Sequence, residues 1–206
     1  MRISPKQVPA IAAVLSLWLM APVPLFSQQA PASGINSALL AKASAGDPAA
    51  KVSAGEECAR AAAAETDREQ AAALSQQALD WYRKAADENY IPAELHLAAL
   101  YRDGAKGIAR DMAQAAVWYR KAAEQNDAGA QGILGMLYTL GQGVPRDDVE
   151  AYFWLDLAAS AGGATQAQYI ANRQNVGTRI TADELEQVQE RLSKWKRAHP
   201  RAAATP

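Results

Sequence analysis

Few side chains in this sequence have the chemistry of a catalytic or metal-binding centre. Its 206 residues include one cysteine, Cys58, and two histidines, His96 and His199. A zinc site needs about four converging Cys, His or carboxylate ligands, and these three residues are widely spaced. The acidic pairs Glu56-Glu57 and Asp147-Asp148 are typical of a solvated helix face and a helix cap, not of an acid/base couple. We therefore predict no catalytic residue, no metal ion and no cofactor, and hence no enzyme.

The motifs also do not favour nucleophilic catalysis or phosphate binding. No serine stands in a nucleophile-elbow pattern. A Gly-x-Gly sequence occurs at residues 141–143, but no Lys-Ser or Lys-Thr pair follows it to open a helix, as a phosphate-binding loop requires. The glycines instead predict turns at helix ends, with a proline that stops the preceding helix. These loop residues are Gly104, Gly107, Gly141, Gly143 and Pro145.

The charge balance argues against nucleic acid as a partner. The sequence has 21 Lys and Arg against 22 Asp and Glu, a formal net charge of −1, whereas nucleic-acid binding usually needs a basic face. Half of the residues are hydrophobic, and the chain is long enough to bury a core without disulfides or metals. We predict an alanine-rich, helical chain that binds neither nucleic acid nor metal.

Residues 1–27 have the pattern of a secretory signal peptide. Arg2 and Lys6 precede an uncharged apolar run at 10–20, about half of the roughly 20 residues that a membrane-spanning helix needs. Cleavage gives a secreted or periplasmic protein, whereas retention gives an inner-membrane anchor, and both alternatives stay open. In an oxidising compartment, Cys58 is either a small buried residue of a helix or pairs with another chain.

The rest of the chain contains an internal repeat. Trp81, Trp118 and Trp154 are spaced by 37 and 36 residues, and each has an alanine three positions before it and an Ala-Ala pair after it. A second segment, which includes Leu97 and Tyr101, recurs 37 residues later. A period of this length is typical of stacked repeat units.

Both halves of the repeat have the spacing of an amphipathic helix. Their apolar residues fall at i, i+3 or i+4, i+7 and i+8, which is one helix face. Asp111 and Asp147 precede two of the Trp-bearing helices, each with Gln or Glu three positions later, as in a capping box. The tryptophans could form an aromatic ligand surface, but their place among alanines favours the repeat core. We predict as core residues Trp81, Tyr82, Tyr101, Trp118, Tyr119, Tyr138 and Trp154.

The order of motifs in residues 130–159 is specific. A Leu-Gly-x-x-Tyr-x-x-Gly run at 134–141 is followed by a Gly-x-Gly-Val-Pro-x-Asp loop at 141–147 and by an Ala-x-x-Trp-x-x-x-Ala-Ala helix at 151–159. This order resembles the Sel-one-like repeat, which is related to the tetratricopeptide repeat, and the resemblance extends over about residues 75–175. It implies an all-α fold, an α-solenoid in which antiparallel helix pairs stack into a superhelix.

The resemblance and the flanking composition predict the organisation of the chain. Residues 28–35 and 200–206 are expected to be disordered. The solenoid covers residues 36–180, with a degenerate unit at 36–74, units at about 75–110 and 111–146, and a partial unit at 147–180. Residues 181–199 then form a capping helix, whose apolar stripe is Leu185, Val188, Leu192 and Trp195.

The resemblance also implies a function, that of a non-catalytic scaffold of the bacterial cell envelope that binds a protein partner through a groove. The first helix of each repeat unit has a second face, opposite its core face. On this face we predict the partner-binding residues Leu95, Arg102, Met136 and Thr139. Methionine is adaptable at such surfaces. Two alternatives stay open. One is a β-lactam-binding or hydrolase-like protein, although its relatives have cysteine pairs that this chain lacks. The other is an envelope assembly component anchored in the membrane.

Overall fold

α-Helices form the regular structure of residues 36–200, the range that the computed structural model describes. This range lies within one unit of the chain. The predicted signal segment, residues 28–35 and the tail after Pro200 lie outside the described residues. The helices within residues 36–200 are α1 (Ser37–Ser44), α2 (Pro48–Ala64), α3 (Arg68–Ala86), α4 (Ile91–Asp103), α5 (Met112–Glu124), α6 (Ala128–Leu140), α7 (Asp148–Ala159), α8 (Gln166–Gly177) and α9 (Ala182–Ala198).

Consecutive helices pack against each other, from α1 on α2 to α7 on α8. Because the connections between them are short, neighbouring helices run antiparallel. The last helix differs, since α9 returns to pack on α7. The predicted all-α solenoid of antiparallel helix pairs, closed by a C-terminal capping helix, is confirmed.

The helices α1, α3, α5 and α7 are followed by the same backbone feature. A residue with positive φ follows the helix by two or three positions and turns the chain towards the next pair. Glycine and asparagine adopt this conformation more readily than other residues. The four residues are Gly46 (φ 106°), Asn89 (58°), Asn126 (72°) and Gly162 (76°).

Small residues let the helices approach closely. Ala78 and Ala115, on the Trp-bearing helices α3 and α5, are fully buried. On α6, a Cβ atom added at Gly135 would lie 2.7 Å from Cγ of Leu155, well inside the 3.5–4.0 Å at which carbon atoms pack. Gly132 meets a side chain of α8 in the same way. The glycines within α6 are therefore explained by the neighbouring helices, which need the space.

The aromatic residues of the repeat differ in how deeply they lie in the core. Tyr82, Tyr119, Tyr138 and Trp154 are buried, with 2–8% of their surface exposed. Trp81, Tyr101 and Trp118 are partly exposed and pack against the edges of the core clusters. The ammonium groups of Lys84 and Lys121 lie 4.5 Å and 3.9 Å from the ring centroids of Trp81 and Trp118, which favours a cation–π contact over these rings.

Polar side chains link successive helix pairs at a repeated position. Lys51, near the start of α2, pairs with Glu88 in the turn before α4. Glu94, near the start of α4, accepts a 2.7 Å hydrogen bond from Gln125 in the turn before α6. Glu88 and Gln125 are 37 residues apart, one repeat length. The next equivalent residue is Ala161, whose methyl group cannot form such a bond.

The capping helix α9 is fixed to α7 by apolar and ionic contacts. Val188 and Leu192 on α9 are buried. Asp156 on α7 is 8% exposed, and its carboxylate lies 2.5 Å from the guanidinium of Arg173 on α8 and 2.8 Å from the ammonium of Lys196 on α9. One buried carboxylate thus holds two helices. Within the described part of the chain, no helix has the length and apolar character needed to cross a bilayer.

Candidate functional site

An open cleft of about 790 Å³ lies between α7 and the capping helix α9, with further walls from α5, the end of α6 and the loop before α7. Binding clefts commonly measure about 300–1,000 Å³. We name it the α7–α9 cleft. Its aromatic lining is Tyr138, Phe153, Trp154 and Trp195. Its charged lining is Arg120, Glu124, Arg146, Asp147, Glu150, Arg191 and Lys194.

Three rings pack edge to face beneath the cleft. Phe153 and Trp154 have centroids 5.0 Å apart, Phe153 and Trp195 5.8 Å, and Trp154 and Trp195 5.5 Å, with interplanar angles between 76° and 90°. Such arrangements contribute about 0.5–1.5 kcal/mol beyond the area they bury. The indole N–H groups of both tryptophans are buried and have no hydrogen-bond acceptor among the described residues. Because the ring contacts join Trp195 of α9 to Phe153 and Trp154 of α7, the cluster holds α9 on α7. It also forms the apolar floor of the cleft.

Two of the acidic residues in the cleft already have structural roles. Oδ1 of Asp147 accepts hydrogen bonds from the backbone N–H groups of Val149 and Glu150, both at 2.9 Å, and so caps α7. Glu150 pairs with Arg191 at 2.7 Å, and the guanidinium of Arg191 lies 4.6 Å from the ring centroid of Phe153. The Asp147 carboxylate is therefore held by the helix cap and the Glu150 carboxylate by its ion pair with Arg191.

Arg120 has a different partner. Its guanidinium donates a hydrogen bond to the hydroxyl of Tyr138, which is a neutral group. The preceding repeat contains the same bond, from Arg83 to the hydroxyl of Tyr101 at 2.7 Å. The bond joins the second helix of one unit to the first helix of the next, so its recurrence indicates a structural role, which in the later unit falls at the cleft.

The structure turns the predicted partner-binding residues towards neighbouring helices. Arg102 forms ionic hydrogen bonds to Asp103 on its own helix and donates to the hydroxyl of Tyr119 on α5 at 2.9 Å. The sulfur of Met136 lies 3.0 Å from the amide nitrogen of Asn172 on α8. Arg102 thus contacts the second helix of its own unit and Met136 contacts the next unit, and their role in binding a partner stays a prediction.

The other two residues of that predicted surface also make internal contacts. The hydroxyl of Thr139 donates to the backbone carbonyl of Gly135 at 2.8 Å, and Leu95 packs against the larger core cluster. Both are partly exposed. None of the four predicted residues lines the α7–α9 cleft.

The two histidines and the cysteine all make packing contacts within the fold. His96 stacks on Tyr82, and its Nε2 lies 3.1 Å from a carboxylate oxygen of Glu56. His199 stacks on a ring of the cleft floor. Cys58 is fully buried, and burial raises the pKa of its thiol to about 11, so very little reactive thiolate forms near neutral pH.

The possible metal ligands do not converge. Within residues 36–200, no group of three or more His, Cys, Asp or Glu side chains is placed to hold a metal ion.

The sequence contained a partial signal for the cleft. Arg83 and Arg120 occupy the same position in the repeated Trp-Tyr-Arg-Lys segment, and this recurrence could have identified Arg120 as a residue with a defined partner. No local pattern places Arg191 and Lys194 beside it. Their position depends on α9 folding back over α7, about 40 residues earlier in the chain.

The repeat is also recognised by comparison with known proteins. A sequence model described as the Sel1 repeat matches residues 68–90, 91–127 and 128–163. The crystal structure of c5321, a protective antigen of uropathogenic Escherichia coli with an SLR fold, matches at 29% identity and a TM-score of 0.61, over 82% of this chain and 36% of that chain. No curated protein sequence matches.

A second solved structure gives the same result. It is a Sel1 repeat protein from Oxalobacter formigenes, which matches at 33% identity and a TM-score of 0.52 over 61% of this chain and 48% of that chain. This chain therefore aligns with less than half the length of each of these two structures. Three repeats and two solved neighbours of the same type agree with the helix pairs described above.

Proposed function

Because residues 68–163 of this chain match three Sel1 repeats, we propose that it is a non-catalytic scaffold that binds a protein partner. The observation that supports the proposal is the α7–α9 cleft, which combines an aromatic floor with arginine and lysine side chains. Trp, Tyr and Arg are the residues that most often dominate the binding energy of protein interfaces. Helical solenoids of this type generally present surfaces for such binding.

We place this scaffold in the bacterial cell envelope, as a secreted or periplasmic protein. The support is the sequence of residues 1–27, with a basic start and a short apolar run. A mature chain that begins after residue 27 agrees with this location, whereas an intact N-terminus on membrane-bound protein would favour an anchored form.

Affinity capture from envelope extract tests the binding function. The full chain is compared with the cleft variant Arg146→Glu/Lys194→Glu and with the control Arg83→Glu/Lys84→Glu, which reverses two exposed charges on α3. We expect one partner to be enriched by the wild type and the control and lost with the cleft variant, all three being equally helical by circular dichroism.

The same experiment separates the cleft from the surface predicted from the sequence. A fourth variant, Arg102→Glu/Met136→Glu, disturbs the predicted surface without changing a residue that lines the cleft. Loss of the partner with this variant alone would place binding at the predicted face of the first helices. Repeated capture and cross-linking without any specific partner would contradict the scaffold function.

A further inference from the structure

Among the described residues, Arg120 is a cation without an anionic partner. Its side chain is partly buried in the cleft, where it donates to the Tyr138 hydroxyl. Within residues 36–200 it forms no ion pair, although Glu124 follows one helical turn later. A guanidinium–carboxylate bond has an ionised donor and an ionised acceptor, whereas the present bond to Tyr138 has only an ionised donor. A ligand carboxylate would therefore bind Arg120 without displacing a carboxylate of the protein.

Two further cations of the cleft are available for exchange. Arg146 pairs with Asp148 at 3.1 Å and Lys194 pairs with Glu190 at 2.6 Å, and the side chains of the two cations are 57% and 66% exposed. The pair of Lys194 with Glu190 is exposed on both sides, and exposed ion pairs contribute about 0–1 kcal/mol. Asp148 is only 19% exposed, but it keeps its pair with Arg179 when Arg146 is released. A ligand carboxylate can thus replace the present partner of either cation at small cost.

The floor between these cations is apolar. Phe153 and Trp154 are 3% exposed, and Trp195 completes the ring cluster. Phe153 and Trp154 thus have little surface left to bury, but Trp195 is partly exposed and lines the cleft. An apolar side chain placed over the Trp195 ring would bury further aromatic surface, at about 25 cal/mol for each Å² removed from water. The site therefore favours carboxylates at its edges and an apolar group at its centre.

We propose that the part of the partner that enters the α7–α9 cleft is an acidic segment of extended polypeptide, with carboxylate side chains on both sides of an apolar residue. The carboxylates pair with Arg120 and with Arg146 or Lys194, and the apolar residue covers the partly exposed Trp195 ring. This inference rests on the proposed function and adds the chemistry of the partner.

Fluorescence anisotropy with labelled, capped peptides tests the proposal on the full chain. The probe EDFLED carries carboxylates around an apolar centre, and QNFLQN is its neutral counterpart. We expect EDFLED to bind at least about tenfold more tightly than QNFLQN, and its affinity to fall as salt is added, because screening weakens exposed ionic contacts. Equal affinity for both peptides, or no saturable binding of EDFLED, would overturn the proposal.

The repeat supplies a matched control for Arg120. Arg120→Gln and Arg83→Gln each remove an arginine–tyrosine hydrogen bond at the same repeat position, but only the first lies in the cleft. Arg120→Gln should weaken EDFLED binding at least about fivefold and Arg83→Gln less than about twofold. Equal weakening by both variants would indicate a general effect on the fold and overturn the assignment.

Two additional measurements keep the test independent of folding and of the proposed function. The variant Arg146→Gln/Lys194→Gln changes only exposed side chains, and it should weaken EDFLED binding at least fivefold as well. A free C-terminal carboxylate on QNFLQN distinguishes acidic side chains from a chain terminus, and tight binding of that form alone would overturn the proposal. Partner capture through the cleft, without EDFLED binding, would leave the scaffold function intact and contradict only this inference.

Discussion

The carboxyl group of Glu94 is fully buried, yet only one of its two oxygens has a hydrogen-bond partner, the amide of Gln125. Desolvation by this burial raises the pKa of Glu94 above its ordinary value. The folded state therefore binds the proton of this group more tightly than the unfolded state. It follows that the ionised Glu94 carboxylate lowers the free energy of unfolding at neutral pH. This destabilisation disappears as the pH falls through the raised pKa of Glu94 and the group becomes protonated.

The substitution Glu94→Gln is expected to stabilise the protein. Gln131 occupies the equivalent position one repeat later, where its amide donates to the Ala123 carbonyl and the Asn126 side chain. Removal of the buried charge should raise the free energy of unfolding at pH 7 by about 1 kcal/mol. Chemical denaturation at pH 7 and pH 4 measures this, and the gain should shrink at pH 4, where wild-type Glu94 is protonated. Destabilisation at pH 7 would contradict the assignment.

Gly135 shows how a single position can oppose helix propensity. Alanine is the better helix former by about 1 kcal/mol, but its Cβ would lie 2.7 Å from Cγ of Leu155, which is fully buried. Overpacking a core usually costs about 1–3 kcal/mol. Gly135→Ala should therefore lower the free energy of unfolding by about 1 kcal/mol, as measured by urea denaturation.

A matched control for this prediction lies on the same helix. At Gly129, an added Cβ meets only the Asp127 side-chain oxygen, at 3.3 Å. Gly129→Ala should leave stability unchanged or raise it slightly. If Gly135→Ala were as stable as Gly129→Ala, close packing of α6 on α7 would not explain the glycine.

At the scale of the helices, Asp156 determines how the solenoid ends. It stands at the repeat position that Arg83 and Arg120 occupy in the earlier units. This change of charge converts a bond to a tyrosine hydroxyl into a pair of ionic contacts with Arg173 and Lys196. The sequence shows the change of residue type, but its consequence depends on α8 and α9 folding back to α7.

Asp156→Asn should loosen the capping helix. The substitution removes a carboxylate with 11% side-chain exposure and leaves two cations without their counterion. We expect a loss of about 1–3 kcal/mol in the free energy of unfolding. We also expect amide hydrogen exchange to be faster than in the wild type, with a larger increase in α9 than in α4. Glu190→Gln, which removes an exposed pair within α9, should change neither quantity. Unchanged exchange in α9 with Asp156→Asn would contradict the role of this carboxylate.

For the whole molecule, the sequence was sufficient to predict the solenoid. The spacing of Trp81, Trp118 and Trp154 sets the repeat, and alanines at helical spacing identify the faces that pack. Each helix pair contacts mainly its neighbours, so local patterns determine most of the fold.

The α7–α9 cleft could not be predicted in this way. Its walls come from segments between Arg120 and His199 that meet only after α9 has returned to α7. The residues predicted for partner binding, such as Met136, share the helix face opposite the core. The structure shows that this face meets the next unit, here α8, because the first helices have neighbours on both sides.

Binding of a protein partner in the α7–α9 cleft is tested most directly by site-specific photo-cross-linking in cells that produce the protein. A photoreactive phenylalanine analogue replaces Lys194 at the cleft or, as a control, Lys84 on α3, both exposed. If the partner binds in this cleft, position 194 should give one discrete higher-mass cross-linked adduct and position 84 should give none. An adduct of the same intensity from both positions, or from position 84 alone, would contradict binding of a protein partner in the α7–α9 cleft.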